Sequence, residues 1–162
     1  MHSIAELTAQ FPRPGRLDWI GLRPARDVAM HTPASVSVLE AGHLQGDRYA
    51  GRSGKRGVTL LQAEHLPVIA ALAGLERLDP ATLRRNLIVS GLNLLALRGR
   101  RFRIGDAEFE GTGPCAPCSR METALGPGAY NAMRGHGGIT ARVVRAGTMA
   151  IEDPVIVLAH SA

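Results

Sequence analysis

The sequence predicts a mainly β domain, a β-barrel or folded sheet with a few peripheral helices. Three observations lead there. Short apolar runs bounded by Gly, Pro, Asn and Asp recur at close spacing through the 162 residues. Few stretches carry helical periodicity, so the strand–helix alternation of a parallel α/β sheet is missing. No repeat, low-complexity tract or Pro/Ser-rich linker divides the chain, whose length suits one core.

Taken in order, residues 10–16, with Pro12, Pro14 and Gly15, read as an extended or turning arm. Trp19-Ile20-Gly21-Leu22 and Ser35-Val36-Ser37-Val38-Leu39 read as short strands, the second alternating with period two. Residues 1–34 are therefore expected to be an arm and first strand of the same domain, whose main body spans 35–158. Residues 42–57 are polar and glycine-studded, and a structureless stretch of that length reads as a binding loop. Val58-Thr59-Leu60-Leu61 is a buried strand. Residues 62–73 read as a helix with Leu66, Ile69, Ala70 and Ala73 on one side, closed by Gly74 at C′. Asp79-Pro80 is an N-cap followed by proline at the first helical position, opening a short turn that Leu83 joins. Leu87-Ile88-Val89 is a strand, and residues 101–109 a hairpin around Gly105-Asp106 with Phe102, Ile104, Ala107 and Phe109 on one surface. Residues 141–146 and 155–158 give two final strands, with Gly147 and Asp153-Pro154 marking turns.

Composition narrows function. Apolar residues at 45% and charged residues at 20% disfavour disorder. Aromatics at 4% argue against a base-stacking platform, so nucleic acid is not the expected partner. The net charge of +5 is almost all arginine, Lys55 being the only lysine, and the planar guanidinium fork suits phosphate and carboxylate. The first ten residues lack the pattern of a secretory leader and no run of about 18 apolar residues occurs, so a cytoplasmic protein with no membrane partner is expected. In a reducing compartment, two cysteines read as thiols, ligands or catalysts rather than a staple.

Gly113-Pro114-Cys115-Ala116-Pro117-Cys118-Ser119-Arg120-Met121-Glu122 carries the most chemistry. Pro117 stops any preceding helix and Ser119 can begin one, which sets Cys118 at a helix start. The positive helix end and the Arg120 cation would both favour its thiolate. Structural zinc needs about four ligands, and the histidines offer no second pair at the right spacing. A redox pair needs a βαβ setting, and inert buried cysteines are the remaining alternative to a single reactive thiol. Leu83-Arg84-Arg85-Asn86 could clamp a phosphate, with one of the two adjacent arginines pointing away. The loop Gly46-Asp47-Arg48 to Lys55-Arg56-Gly57 lacks the order of a nucleotide-binding P-loop, yet Arg48 and Arg56 among glycines could wrap an anion. His136, between Gly135 and Gly137, reads as a turn histidine.

Gly46-Asp47-Arg48, Val58-Thr59-Leu60-Leu61-Gln62, Arg84-Arg85-Asn86-Leu87 with Gly91, Ile104-Gly105-Asp106-Ala107 and Gly113-Pro114-Cys115-Ala116-Pro117-Cys118, in that order, resemble the MOSC domain family, named for the C-terminus of molybdenum cofactor sulfurases. The resemblance spans roughly residues 35–158 and rests on ordered blocks rather than one motif. It implies a β-barrel-like fold and a molybdenum-pterin cofactor (Mo-molybdopterin). It makes Cys118 the catalytic residue and metal ligand, and Cys115 a weaker candidate. Arg48, Arg56, Arg84, Arg85, Asn86 and Arg120 are the expected cofactor-binding residues. By the resemblance, the function is a molybdenum-dependent oxidoreductase component reducing N-hydroxylated or N-oxide compounds. The alternative is a sulfur carrier or transferase working through a cysteine persulfide. The expected partners are a small-molecule substrate and an external electron-transfer or sulfur-donor protein, because these 162 residues hold no ferredoxin-type cysteine cluster and no aminotransferase-like block.

Overall fold

Side-chain alternation along the strands decides how this chain is layered. The computed structural model describes residues 1–49 and 51–159. Seven of the described strands close into a barrel: β1 (Gly15–Ile20), β3 (Val58–Gln62), β4 (Leu87–Ser90), β5 (Arg101–Ile104), β6 (Ala107–Pro114), β7 (Ile139–Arg145) and β9 (Pro154–Val157), in the spatial order β1-β4-β3-β7-β6-β5-β9. The β3–β4 pair is parallel and the others are antiparallel. The remaining strands, β2 (Ser35–Val38) and β8 (Gly147–Ala150), form a separate antiparallel ribbon.

Odd and even positions go to different cores. Val58 and Leu60 of β3 and Leu87 and Val89 of β4 join Leu17, Phe102, Phe109 and Ala141 in the main buried cluster. Leu61 and Ile88, one residue out of phase, join Ile69, Leu83, Met121 and Met133 in a second cluster. That second cluster lies under three helices: α2 (His65–Leu72), α3 (Ser119–Leu125) and α4 (Ala129–Met133). Burial on both faces is why β3 and β4 read as continuous apolar runs. Each large side chain fully buried this way contributes about 1.5–3 kcal/mol. The 101–109 hairpin forms as its alternation predicts, with Phe102, Ile104, Ala107 and Phe109 all fully buried and Gly105 at φ +58°. Phe102 and Phe109 face each other across the strands with ring centroids 5.5 Å apart.

Local signals around the helices also resolve clearly. Gly74 at φ +72° ends α2, its N–H reaching the Ala71 carbonyl while Leu75 N–H reaches Ala70, the paired bonds of a Schellman motif. Asp79 Oδ1 accepts from Ala81 N–H at 2.9 Å and opens a 3-10 turn, Pro80–Leu83, that sinks Leu83 into the second cluster.

Some expectations change. The first strand begins at Gly15 inside the expected arm and stops at Ile20, so Gly21 and Leu22 fall outside it. Leu22 instead bridges His31. Gly147 starts β8 rather than a turn, and β6 runs on to Pro114. A five-residue helix, α1 (Ile4–Thr8), is held by a Ser3–Glu6 capping box, the reciprocal bonds supplying what its short apolar pattern could not signal. No helix among the described residues is long and apolar enough to cross a membrane.

Candidate functional site

Where β4 begins, the barrel gathers two loops and the start of β3 around one buried amide. Asn86 is fully buried, and its side-chain oxygen accepts from Thr59 N–H at 3.0 Å and Thr59 Oγ1 at 3.1 Å. Its amide nitrogen donates to the Gly21 carbonyl and to Asp47 Oδ1, both at 3.1 Å. Asp47 also accepts from Arg23: Oδ1 from the backbone N–H at 2.8 Å and from Nε at 3.0 Å, and Oδ2 from the other end of the guanidinium at 2.8 Å. Burial pushes the Asp47 carboxyl up, but the Arg23 bonds and charge together with the Asn86 amide outweigh it and hold the group below the ordinary aspartate value. One network thus fixes the exit of β1, the start of β3 and the 42–57 loop.

Arg85 does a parallel job on the cysteine segment. Its buried guanidinium donates from Nε to the Gly137 carbonyl at 2.9 Å and to the carbonyls of Leu83, Cys115 and Ala116 at 3.1–3.4 Å. Among the described residues it has no carboxylate partner, so it is a buried cation balanced only by backbone dipoles. Cys115 N–H donates to the Gly138 carbonyl at 2.8 Å, closing the segment onto the start of β7. Gly138 is required there: φ is +88°, and a Cβ would lie 1.9 Å from the Leu60 carbonyl oxygen.

The two cysteines end up in different surroundings. Cys115 is buried and Cys118 exposed, both free thiols. Cys118 is the N-cap residue of α3 in extended conformation, φ −122° and ψ 171°, and its side chain makes no capping hydrogen bond. Arg120, in the first turn of α3, lines a cleft of about 420 Å³ with Arg84, Arg26, Asp27 and Thr82. Arg84 sits at φ +54° and donates to the Val28 and Ala25 carbonyls at 2.8 and 3.2 Å, while Arg120 and, at 3.6 Å, Arg26 pair with Asp27. Partial burial, then the charges of Arg23 and Arg48, lower the Arg84 pKa, with Asp47 opposing them.

The predicted residues therefore divide. Arg84 and Arg120 face the cleft beside the helix that Cys118 caps, and Arg48 stands near enough to act on Arg84. Arg85 and Asn86 turn inward and use their donors on the protein itself. Arg56 is exposed just before β3 and is not among the cleft-lining residues. The two adjacent arginines do diverge, but a left-handed residue at Arg84 separates them rather than the strand pleat. His136 lies beside Gly137 with its ring edge-on to His65, centroids 5.0 Å apart, and its Nδ1 is buried without a partner among the described residues. Arg23, Arg26, Asp27 and Thr59 were not singled out from the sequence. The only signal for them is position, three charged residues just after a strand and a hydroxyl inside one. Among the described residues no group of three or more His, Cys, Asp or Glu is placed to hold a metal by itself.

Comparison with known proteins fits this architecture. The YuaD protein of Bacillus subtilis is similar over 91% of this chain and 97% of its own, with TM-score 0.78 and 19% identity. YiiM of Geobacillus stearothermophilus is similar over 90% and 76%, with TM-score 0.73 and 17% identity. YiiM of Escherichia coli is similar over 91% and 71%, with TM-score 0.68 and 19% identity. At these identities the likeness shows the fold. No curated protein sequence matches. The model of the MOSC domain matches residues 37–156, most of the chain and every barrel strand except β1 and the last residue of β9, so this chain belongs to the MOSC domain family.

Proposed function

We propose that this chain is a molybdenum-pterin cofactor-binding MOSC protein, the reductase component of a system that reduces N-hydroxylated or N-oxide compounds with electrons from an external donor. The observation that carries the reading is one exposed, uncommitted thiol, Cys118, capping α3, the helix whose Arg120 lines the arginine cleft. The donor set suits the group. A thiolate is a soft ligand for a sulfur-loving metal, and guanidinium forks suit a phosphate. In this reading Cys118 holds the metal, and Arg84, Arg120 and Arg48 hold the pterin phosphate. Arg85 and Asn86 act through the backbone they fix, and Arg56, outside the cleft, takes no part in holding the anion. Bound there, the cofactor supplies two-electron redox chemistry. Each N–O bond reduced takes two electrons and two protons and releases water, and in this reading an external donor supplies the electrons.

The test is metal and pterin content after purification from a host able to make the cofactor. Wild type should carry molybdenum near one per chain, Cys118→Ala none, and Arg84→Gln with Arg120→Gln a reduced amount. A wild-type protein free of molybdenum from that host overturns the reading.

The same uncommitted thiol supports a second reading, a sulfur carrier. Attack of Cys118 thiolate on a donor persulfide would form a persulfide on Cys118 and release the donor thiolate, at the N-terminus of α3. Labelling of Cys118 by a persulfide-selective reagent after incubation with a desulfurase supports this reading, and an unlabelled protein removes it.

A further inference from the structure

A second cleft, of about 730 Å³, opens where β3 and β4 end, at the opposite end of β4 from Arg85 and Asn86. That volume falls within the range of about 300–1,000 Å³ typical of small-molecule sites. Four segments converge on it: the N-terminal arm, the end of β3, the turn after β4 and the stretch leading into β5. Leu7, Phe11 and Leu92 supply apolar wall, and Arg13, Arg98 and Arg100 supply charge. The cleft's carboxylate, Glu64, already accepts from Gly91 N–H at 2.6 Å.

Two observations set this cleft apart from a merely solvated surface. Among the described residues none of the three arginines has a carboxylate within ion-pair distance, whereas Arg23, Arg26 and Arg120 are all paired. Like charges around one concavity with apolar walls focus a positive potential, which Glu64 offsets only in part. In addition, α1 is a well-capped helix with no buried residue, leaving Ile4 75% and Leu7 51% exposed. Its apolar side is therefore free to cover a bound apolar group.

We propose that this cleft is a second small-molecule site, separate from the cysteine site, for an amphiphilic anion. A carboxylate or phosphate-ester head is held by Arg13, Arg98 and Arg100, and an alkyl or aryl tail lies between the arm and Leu92. Calorimetric titration of the full chain with octanoate, octyl phosphate and octan-1-ol tests it. At least one anion should bind saturably at one site, with octan-1-ol at least tenfold weaker, and whichever anion binds identifies the head group. A triple variant Arg13→Gln, Arg98→Gln, Arg100→Gln should lose at least tenfold in affinity, while Cys118→Ala should bind as wild type does. Absence of anion binding, octan-1-ol binding as tightly as the anions, or full affinity in the triple variant overturns the proposal. So does loss of binding in Cys118→Ala, which would move the anion to the cysteine site. If the triple variant fails to fold, the single Arg98→Gln change at an exposed position should still weaken binding at least threefold, and unchanged affinity there overturns the proposal equally.

Discussion

Replacing Asn86 with alanine should cost far more than the loss of one polar side chain usually does. The amide is fully buried and makes four hydrogen bonds, two accepted from Thr59 and two donated to Gly21 and Asp47. A typical net hydrogen bond is worth about 0.5–1.5 kcal/mol, and a buried group left unpaired costs about 1–3 kcal/mol. Asp47 keeps its Arg23 bonds, so the exposed deficit falls on Thr59 and Gly21. The sum is about 3–5 kcal/mol, a large share of the roughly 5–15 kcal/mol available to a domain. At about 2–4 °C per kcal/mol for a chain of this size, the melting midpoint should fall by about 6–20 °C. Urea denaturation and calorimetry would measure both. Asn86→Asp is the sharper companion: it removes both donors and sets a carboxylate against Asp47 Oδ1, now 3.1 Å from the amide nitrogen. That variant should be at least as unstable near neutral pH and should regain stability relative to Asn86→Ala as the introduced carboxyl is protonated. A loss below about 0.5 kcal/mol for Asn86→Ala, the range of ordinary surface changes, would overturn this account of the network.

Further outcomes follow from the same geometry. A chromogenic disulfide reagent should titrate Cys118 quickly and the buried Cys115 only on unfolding, and Arg85→Met, which frees the Cys115 and Ala116 carbonyls, should expose Cys115 and cost about 2–4 kcal/mol. Asp47 titrates below its unfolded value, so its contribution is present above about pH 4 and is lost as pH falls through its depressed folded value. The stability gap between wild type and Asp47→Asn, followed by denaturation at successive pH values, should therefore narrow on acidification. Gly135→Ala should cost only the left-handed backbone strain of about 1–2 kcal/mol, because nothing lies within 4 Å of its Cβ position. Gly138→Ala adds a clash with the Leu60 carbonyl and should cost about 2–5 kcal/mol by thermal melt.

Much of the scaffold was legible in order along the chain. Turn residues and period-two alternation marked the Phe102–Phe109 hairpin, the Gly74 helix stop and the Asp79-Pro80 turn, because each depends on interactions within a few residues. The elements that escaped were short ones whose stability comes from elsewhere. β8 exists by pairing with β2, more than a hundred residues earlier, and α4 exists by packing Met133 into the second cluster.

The site divides along the same line. Residue types, an arginine-dominated charge, one cysteine at a helix start and the ordered blocks that mark the family could all be read along the chain. Only the tertiary structure decided which of those residues face solvent and which face the protein. Arg85 and Asn86 look like ligand-binding groups in a linear reading, yet the barrel closes around them and supplies carbonyl and hydroxyl partners from residues 21, 59, 115 and 137. Arg84, one residue away, is turned by a left-handed backbone toward the cleft, where Arg120 arrives from a different segment. Cys115 is buried and Cys118 exposed, and the bonds that hold Cys115 in place come from Arg85 and Gly138, distant residues of which local sequence carries no record.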